Sequence, residues 1–372
     1  MADTPQFTEF QGIPLDPRTD YYRIFDDVDG ADLEWWKKAR DFCEFARPSI
    51  NEAWEKAEYN IPGAEEAARR GLIRDGIDIE GEPEMSIRAK RLIGFEISRL
   101  DASTATALGV QAGLAMQSIN LLGSEEQKKK YLKPMSLMEI RGAFALTEPD
   151  HGSVGHIAVV WARMDDGEVG GFIVDQDQEG YDAETITGKA ALRGIPQAHI
   201  KLNNVRVSDD RRLPGARSFR DTAVVLGGTR LGVAWTALGI AIDCYEKALT
   251  YATERVQFGR PLIKNQIIQQ RLSDMLMDVT AMALYCKRLL ELEEAGELSE
   301  KQAALAKVHN TRAARRVAAN ARDMFGGVGI LLENDVMRHM ADVETLHTYG
   351  GTDTMQSLIV GKSITGVSAF TG

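Results

Sequence analysis

The sequence predicts a mainly α protein with a small β unit in its middle. Three observations carry this prediction. Long stretches on both sides of the centre repeat apolar residues with the helical period. Between Ile140 and Val207 the pattern changes to short strand-like runs separated by Gly, Asp and Pro. The chain has 372 residues, too many for one small core, so two or three packed units are expected. The boundaries read as an N-terminal α domain over 1–140, a β domain over 141–215 and a C-terminal helical bundle over 216–372.

In chain order, "DLEWWKKARDFCEFARPSINEAWEKAEY" has a helical rhythm that Pro48 is expected to interrupt. "SIRAKRLIGFEISRL" places Ile87, Leu92, Ile93, Ile97 and Leu100 near one face. "TALGVQAGLAMQSINLL" is apolar nearly all round and reads as a buried helix. "GSEEQKKKYL" opens with Ser124 and Gln127 at capping-box spacing, with Glu125 and Glu126 in the first turn. The runs "GAFALTE", "HIAVVWARM", "GGFIVD" and "HIKLNNVRV" follow as strands, with "DDGEVG" as a hairpin turn. Then Leu231, Trp235, Leu238, Ile242, Tyr245 and Leu249 form one helical stripe. A further long helix ends at Gly296, and another opens at the Ser299–Gln302 capping box and stops at Gly326 and Gly327. Three long neighbouring helices imply an antiparallel bundle.

Composition excludes several classes. The formal net charge of -11 disfavours nucleic acid and anionic membrane as partners. An anionic nucleotide or coenzyme would need local arginines acting against that field. The cysteines, Cys43, Cys244 and Cys286, are odd in number and match no zinc or redox spacing, which fits reduced core thiols in a cytoplasmic protein. The six histidines form no metal-binding pattern, and no metal is expected. The first residues resemble neither a secretory signal nor a transit peptide, and no apolar run reads as long enough to span a membrane.

Four segments could carry chemistry. "LTEPDHGS" offers the hydroxyls of Thr147 and Ser153 beside Gly152, or is an ordinary turn. In "ERVQFGRPL", Arg255 can grip phosphate and Phe258 can cover a flat ring, or the segment is only a helix end. "GGVG" follows a helix, so it fails the context of a dinucleotide fingerprint. "YGGTDT" is a glycine turn before a helix, a place where backbone N–H groups meet anions.

Taken in order, these segments resemble the acyl-CoA dehydrogenase superfamily, most closely its glutaryl-CoA dehydrogenase-like branch. "GSEEQKKKYL", "GAFALTEPDHGS", "TRLGVAWTALG", "ATERVQFGRPL", "ARDMFGGVGI" and "HTYGGTDTMQSLIVGKSITGVSAF" carry the resemblance from about Ser86 to Phe370. It implies an N-terminal α domain, a middle β domain, a C-terminal four-helix bundle, bound FAD and a homotetramer or homodimer. It implies that Phe144, Leu146 and Thr147 line the flavin, with Ser153 near both flavin and acyl-CoA. Arg255 and Phe258 match residues that hold the FAD of a neighbouring subunit, completed by Asp323, Gly326 and Gly327. Thr352 and Thr354 match flavin-pyrophosphate contacts, and Arg230 matches an arginine near the CoA nucleotide, with Tyr349 and Gly351 beside the substrate. The implied chemistry is α,β-dehydrogenation of an acyl-CoA thioester: a carboxylate takes the α-proton, hydride passes to the flavin, and electrons leave to an electron-transferring flavoprotein.

The sequence departs from the family pattern in three places. The usual Tyr-Glu-Gly-Thr motif carries the catalytic base; here Gly350 stands in its position, and the alternative base position is Thr229. A Glu on the preceding segment, Glu344, matches a structural residue of the family. Between Ser153 and "VVWAR" several family strands are absent, so an incomplete β domain with an open edge is expected. Alignment through Val110 and Gln111 puts Ala105 where glutaryl-CoA dehydrogenases carry an arginine, which favours a short or medium acyl chain without distal charge. A non-oxidative lyase or cyclase on an acyl thioester, or a non-catalytic CoA-binding homologue, is the alternative that the missing base suggests.

Overall fold

The computed structural model describes residues 15–145, 152–153 and 155–369. Leu146 and Thr147 therefore lie outside the described residues. Six helices come first: α1 (Gly30–Lys56), α2 (Ile61–Arg69), α3 (Ile87–Leu100), α4 (Ala102–Gly109), α5 (Gln117–Leu122) and α6 (Glu125–Ser136). Between α4 and α5 the chain does not break but widens into a π-helical stretch, Val110–Met116. The capping box at Ser124–Gln127 is formed in both directions.

Helix α1 runs unbroken through Pro48, contrary to the sequence expectation. A mid-helix proline costs roughly 3 kcal/mol. The buried stripe continues across it, from Trp35, Trp36, Phe42 and Ala46 to Ile50. Past the proline, burial of Ile50 contributes about 1.5–3 kcal/mol, and Asn51 and Trp54 donate to Leu332 O and Asp342 Oδ1, which together hold the last turns in line.

The middle of the chain forms two three-stranded sheets. Strands β1 (Gly142–Ala145), β3 (Ile157–Arg163) and β4 (Val169–Asp175) make the first, in the order β1-β3-β4. Strand β2 (Gly152–Ser153), β5 (Tyr181–Thr185) and β6 (Gln197–Leu202) make the second, in the order β2-β6-β5. β1 runs parallel to β3, pairing Gly142 with Ile157 and Ala145 with Val160. The chain makes that parallel return by crossing into the second sheet at β2 and coming back. The β3–β4 hairpin closes where expected, with Met164 O accepting from Gly167 N and Gly167 at φ +86°. Alternation along the sheet is strict: Phe144, Ile157, Val159 and Ile173 face the helical core, while Ala143, Ala158, Val160 and Val174 face the other side.

The rest is helical: α7 (Phe219–Gly227) and α8 (Thr229–Glu254), then a tight hairpin of β7 (Val256–Gln257) and β8 (Arg260–Pro261), then α9 (Gln266–Glu294), α10 (Glu300–Met324), α11 (Val336–Thr348) and α12 (Asp353–Thr365). Helix α8 is the spine, packed against α3, α9 and α10. The helical run Phe219–Glu254 is long and apolar enough to cross a membrane by length and composition, which the sequence reading had not expected. Most of its apolar residues between Leu231 and Tyr245 are buried in the protein, so α8 is a core helix, while Phe219 and Val224 of α7 stay exposed. At the α3–α8 crossing, Trp235 meets Phe25 and Phe95 with ring centroids 6.2 and 6.0 Å apart. Close approach is possible because residue 239 is glycine. A Cβ there would lie 2.6 Å from Phe95 O and 2.5 Å from Ser98 Oγ.

Gly239→Ala should therefore lower the unfolding free energy by about 1–3 kcal/mol through overpacking. Gly361→Ala, in the middle of α12 with no neighbour within 4 Å of the added methyl, should be neutral or gain about 0.5–1 kcal/mol. Urea unfolding of the two variants checks the contrast.

Candidate active site

The turn from Tyr349 to Thr352 joins α11 to α12. Gly350 and Gly351 both take positive φ, +64° and +85°. Tyr349 N closes α11 by donating to Thr345 O at 2.8 Å, and Thr352 caps α12 by accepting from Met355 N at 3.3 Å. The two glycines are exposed on their outer side. Their inner side is gripped through the main chain. Gln356 Nε2 donates to Gly350 O at 3.0 Å, and Lys307 Nζ donates to Tyr349 O and, at 2.5 Å, to Gly351 O. Residue 351 favours glycine through its positive φ, and a Cβ there would also lie 2.2 Å from Gln356 Nε2 and displace that side chain from its carbonyl partners.

Lys307 was not singled out from the sequence. It sits on α10 among Ala303, Ala304 and Ala306, all buried, and is itself 1 % exposed. A lone lysine on an alanine face is the signal that marks it. Burial pushes its ammonium down to about 8, the charge of Arg230 acts in the same direction, and Asp353 opposes them. Arg230 comes from the first turn of α8, which packs along α10 and brings that charge near enough to act on Lys307. Thr229, the residue before Arg230, donates its hydroxyl to Leu226 O at 2.8 Å. Arg230 is ion-paired with Glu300 at the start of α10. Glu344 faces away and pairs with Arg315 at 2.7 Å. Neither Gly350 nor Thr229 offers a carboxylate.

Comparison with known proteins identifies the arrangement. The acyl-CoA dehydrogenase N-terminal domain matches residues 32–139, and the acyl-CoA dehydrogenase C-terminal domain matches residues 219–365. A 3-(aryl)acrylate reductase of Clostridium sporogenes is 30% identical, with 88% of this chain and 97% of the relative covered. The chain belongs to the acyl-CoA dehydrogenase family. A glutaryl-CoA dehydrogenase structure from Mycobacterium smegmatis superposes with a TM-score of 0.91 at 34% identity, over 95% of this chain and 99% of that one. A glutaryl-CoA dehydrogenase of the same organism, in complex with FADH2, gives 0.91 at 27% identity, also over 95% and 99%. Family membership makes the chain an oxidoreductase by class, on the mainly helical fold with small sheets that the sequence predicted.

The other residues that the family pattern marks are spread along the molecule. Phe144 is buried on β1, with its ring edge-on to Trp161 at 6.4 Å. Ser153 is on β2, whose backbone pairs it with Gln197 of β6. Arg255 ends α8 and is exposed. Phe258 is fully exposed at the tip of the β7–β8 hairpin, at φ +50°. Asp323 pairs with Arg271 at 3.2 Å and with Arg322. Gly326, at φ +61°, and Gly327 have no atom within 4 Å of the Cβ position, so a ligand can approach their backbone closely. Thr354, in the first turn of α12, is exposed beside the capping Thr352.

A second buried group stands one helix behind the turn. Asp342 of α11 is fully buried; its Oδ1 accepts from Leu192 N at 2.7 Å and from Trp54 Nε1 at 3.2 Å. Its Oδ2 has no partner among the described residues. Burial and the nearby Asp101 carboxylate push it up to about 7, against the pull of Arg338. An unfolded Asp releases its proton near 3.9. Between about pH 4 and 7 the folded state therefore keeps a proton that the unfolded state has lost. Stability should fall as pH rises from about 4 through about 7. Asp342→Asn keeps the accepting oxygen and should flatten that part of the pH–stability curve, measured by urea unfolding at each pH.

Proposed function

We propose that this protein is an FAD-dependent acyl-CoA dehydrogenase-type enzyme acting on a short- or medium-chain acyl thioester without a distal charge. The observation that carries this reading is the glycine turn held by Lys307 of α10 and Gln356 of α12, within reach of the Arg230 charge, on a chain of this family. Ala105 in the helix beside the π-stretch offers no partner for a distal carboxylate, which supports the choice of acyl chain.

The donor set suits the diphosphate of FAD. Thr352 and Thr354 place hydroxyls at the N-terminus of α12, where the helix dipole favours an anion. Arg255 is exposed, with no ion pair among the described residues, and can meet phosphate. Phe258 projects from its hairpin into solvent, away from its own chain, which supports a role in a neighbouring copy's site and hence a homo-oligomer. Asp323, Gly326 and Gly327 would complete that site, and Phe144 would lie behind the ring. When bound, FAD supplies the acceptor for the β-hydrogen as hydride. The chain's own residues bind and orient: Arg230 would exchange Glu300 for the CoA nucleotide, and Tyr349 and Gly351 would flank the acyl group. An electron-transferring flavoprotein is the acceptor that fits this chemistry. The buried free cysteines suit a reducing, cytoplasmic setting.

The step that lacks its usual group is removal of the α-proton. Loss of a general base typically lowers a rate roughly 10²–10⁴-fold. The Cβ of Gly350→Glu meets only Lys307 Nζ, at 3.5 Å, so the first atom of the side chain has space, at a backbone cost of about 1–2 kcal/mol for the positive φ. The enzyme reconstituted with FAD and mixed anaerobically with butyryl-CoA should bleach slowly, and Gly350→Glu should bleach at least about a hundredfold faster, read by flavin absorbance. Failure of both to take up FAD would sink the reading. Arg255→Ala should weaken FAD binding about tenfold or more, the worth of one charge-assisted hydrogen bond, in a flavin-fluorescence titration.

A further inference from the structure

The corner at Gly350 has an unusual wall. A side chain there would have one non-adjacent atom within 4 Å, the ammonium nitrogen of Lys307. That lysine is 1 % exposed. Its ammonium has three N–H donors. Two are given to Tyr349 O and Gly351 O, and no third acceptor is recorded for it among the described residues. The corner therefore combines a buried positive charge and a spare donor with an unfilled Cβ position 3.5 Å from that charge, on a glycine that is itself exposed. Such a combination favours a compact anion with an oxygen acceptor.

We propose that this corner binds a small free carboxylate such as formate or acetate, held by Lys307, and that the bound carboxylate serves as the proton acceptor that the chain itself lacks. The binding half stands on the corner alone; the proton half rests on the function proposed above. One carboxylate oxygen receives the third N–H of Lys307, and the other points to the substrate. In the reaction that oxygen forms an O–H bond with the α-proton. The electron pair of the broken Cα–H bond becomes the Cα=Cβ π bond. The β-hydrogen leaves with its own pair to the flavin, which is the two-electron oxidant.

The charges around Lys307 set the pH range. Arg230 of α8 disfavours its protonation, and Asp353 at the start of α12 favours it. Asp353 is itself held by Arg312 at 2.7 and 2.8 Å and lies 3.7 Å from His347. The Tyr349 ring is 5.9 Å from Nζ. Burial brings the ammonium down to about 8, so it is mostly charged at pH 7, and carboxylate binding should fade as pH rises through 8.

The first measurement is thermal unfolding at pH 7 with formate or acetate against chloride at equal ionic strength. The wild type should show a saturable Tm rise of about 2 °C with the carboxylates beyond chloride. Gly350→Ala fills the corner with a methyl group and leaves Lys307 in place; it should lose the rise. Lys307→Gln should lose it too. An equal rise with chloride, or a rise retained in Gly350→Ala, overturns the site. The second measurement is anaerobic bleaching of the FAD-loaded wild type by butyryl-CoA. Saturating formate should raise the rate at least about tenfold, with no effect on Gly350→Ala. A Tm rise without a rate rise overturns the proton role and leaves the site. If Gly350→Glu also fails to bleach, the functional reading fails, while the Tm result still decides the site.

Discussion

Everything around the glycine turn depends on how one buried arginine is satisfied. Arg338 of α11 is 1 % exposed. Its guanidinium donates to Asp101 Oδ1 at 2.7 Å, Leu100 O at 3.0 Å, Asp335 Oδ1 at 2.9 Å and Asn51 Oδ1 at 3.0 Å. Those partners come from α1, from the α3–α4 junction and from the entry to α11 itself. An unpaired charge in that place would be prohibitive, so the helices take the positions that complete the set. Asp335 reaches Lys247 at 2.6 Å, and Lys247 and His339 reach Asp243 at 2.5 and 2.9 Å. The first helices and the last ones are thus joined by a charged seam beneath α11. The turn after α11 inherits its position from that seam.

The two apolar cores say the same in another form. One runs from Leu15 and Phe25 through Trp235 to Leu346, and so draws on both ends of the chain. The other joins α1, α2, α3 and the π-helical stretch to the inner face of the first sheet. The small sheets are the least supported part: the outer face of β1, β3 and β4 rests on a patch of four buried residues, Ala143, Ala158, Val160 and Val174. The spacing after Ser153 implies a β unit shorter than the family's, and the described strands form two three-stranded sheets.

Local rules made much of this legible in the sequence. The capping boxes at Ser124 and Ser299, the stop at Gly296 and the hairpin after Met164 are short-range signals, and all formed. The turn at Gly350 was recognisable from its neighbours. What local rules missed was set by distant packing. Pro48 reads as a break because its own cost is local, while the burial that overrides it comes from α2 and α3. The Phe219–Glu254 run is long and apolar enough for a membrane span by composition alone, and only its enclosure by α3, α9 and α10 marks it as a core helix. Lys307 and Asp342 gave almost no sign, because a buried charge declares itself only through partners about forty and a hundred and fifty residues away in Gly351 and Leu192.

The way Lys307 and Gln356 hold the turn has a consequence for its history. Both reach carbonyl oxygens, which every amino acid carries. The shape of the loop is thus encoded at positions 307, 351 and 356, and the chemistry of residue 350 is encoded separately. Glycine and glutamate codons can differ by a single base. A lineage with this scaffold can lose or regain its proton-abstracting group in one mutational step, at the backbone cost of the positive φ at residue 350.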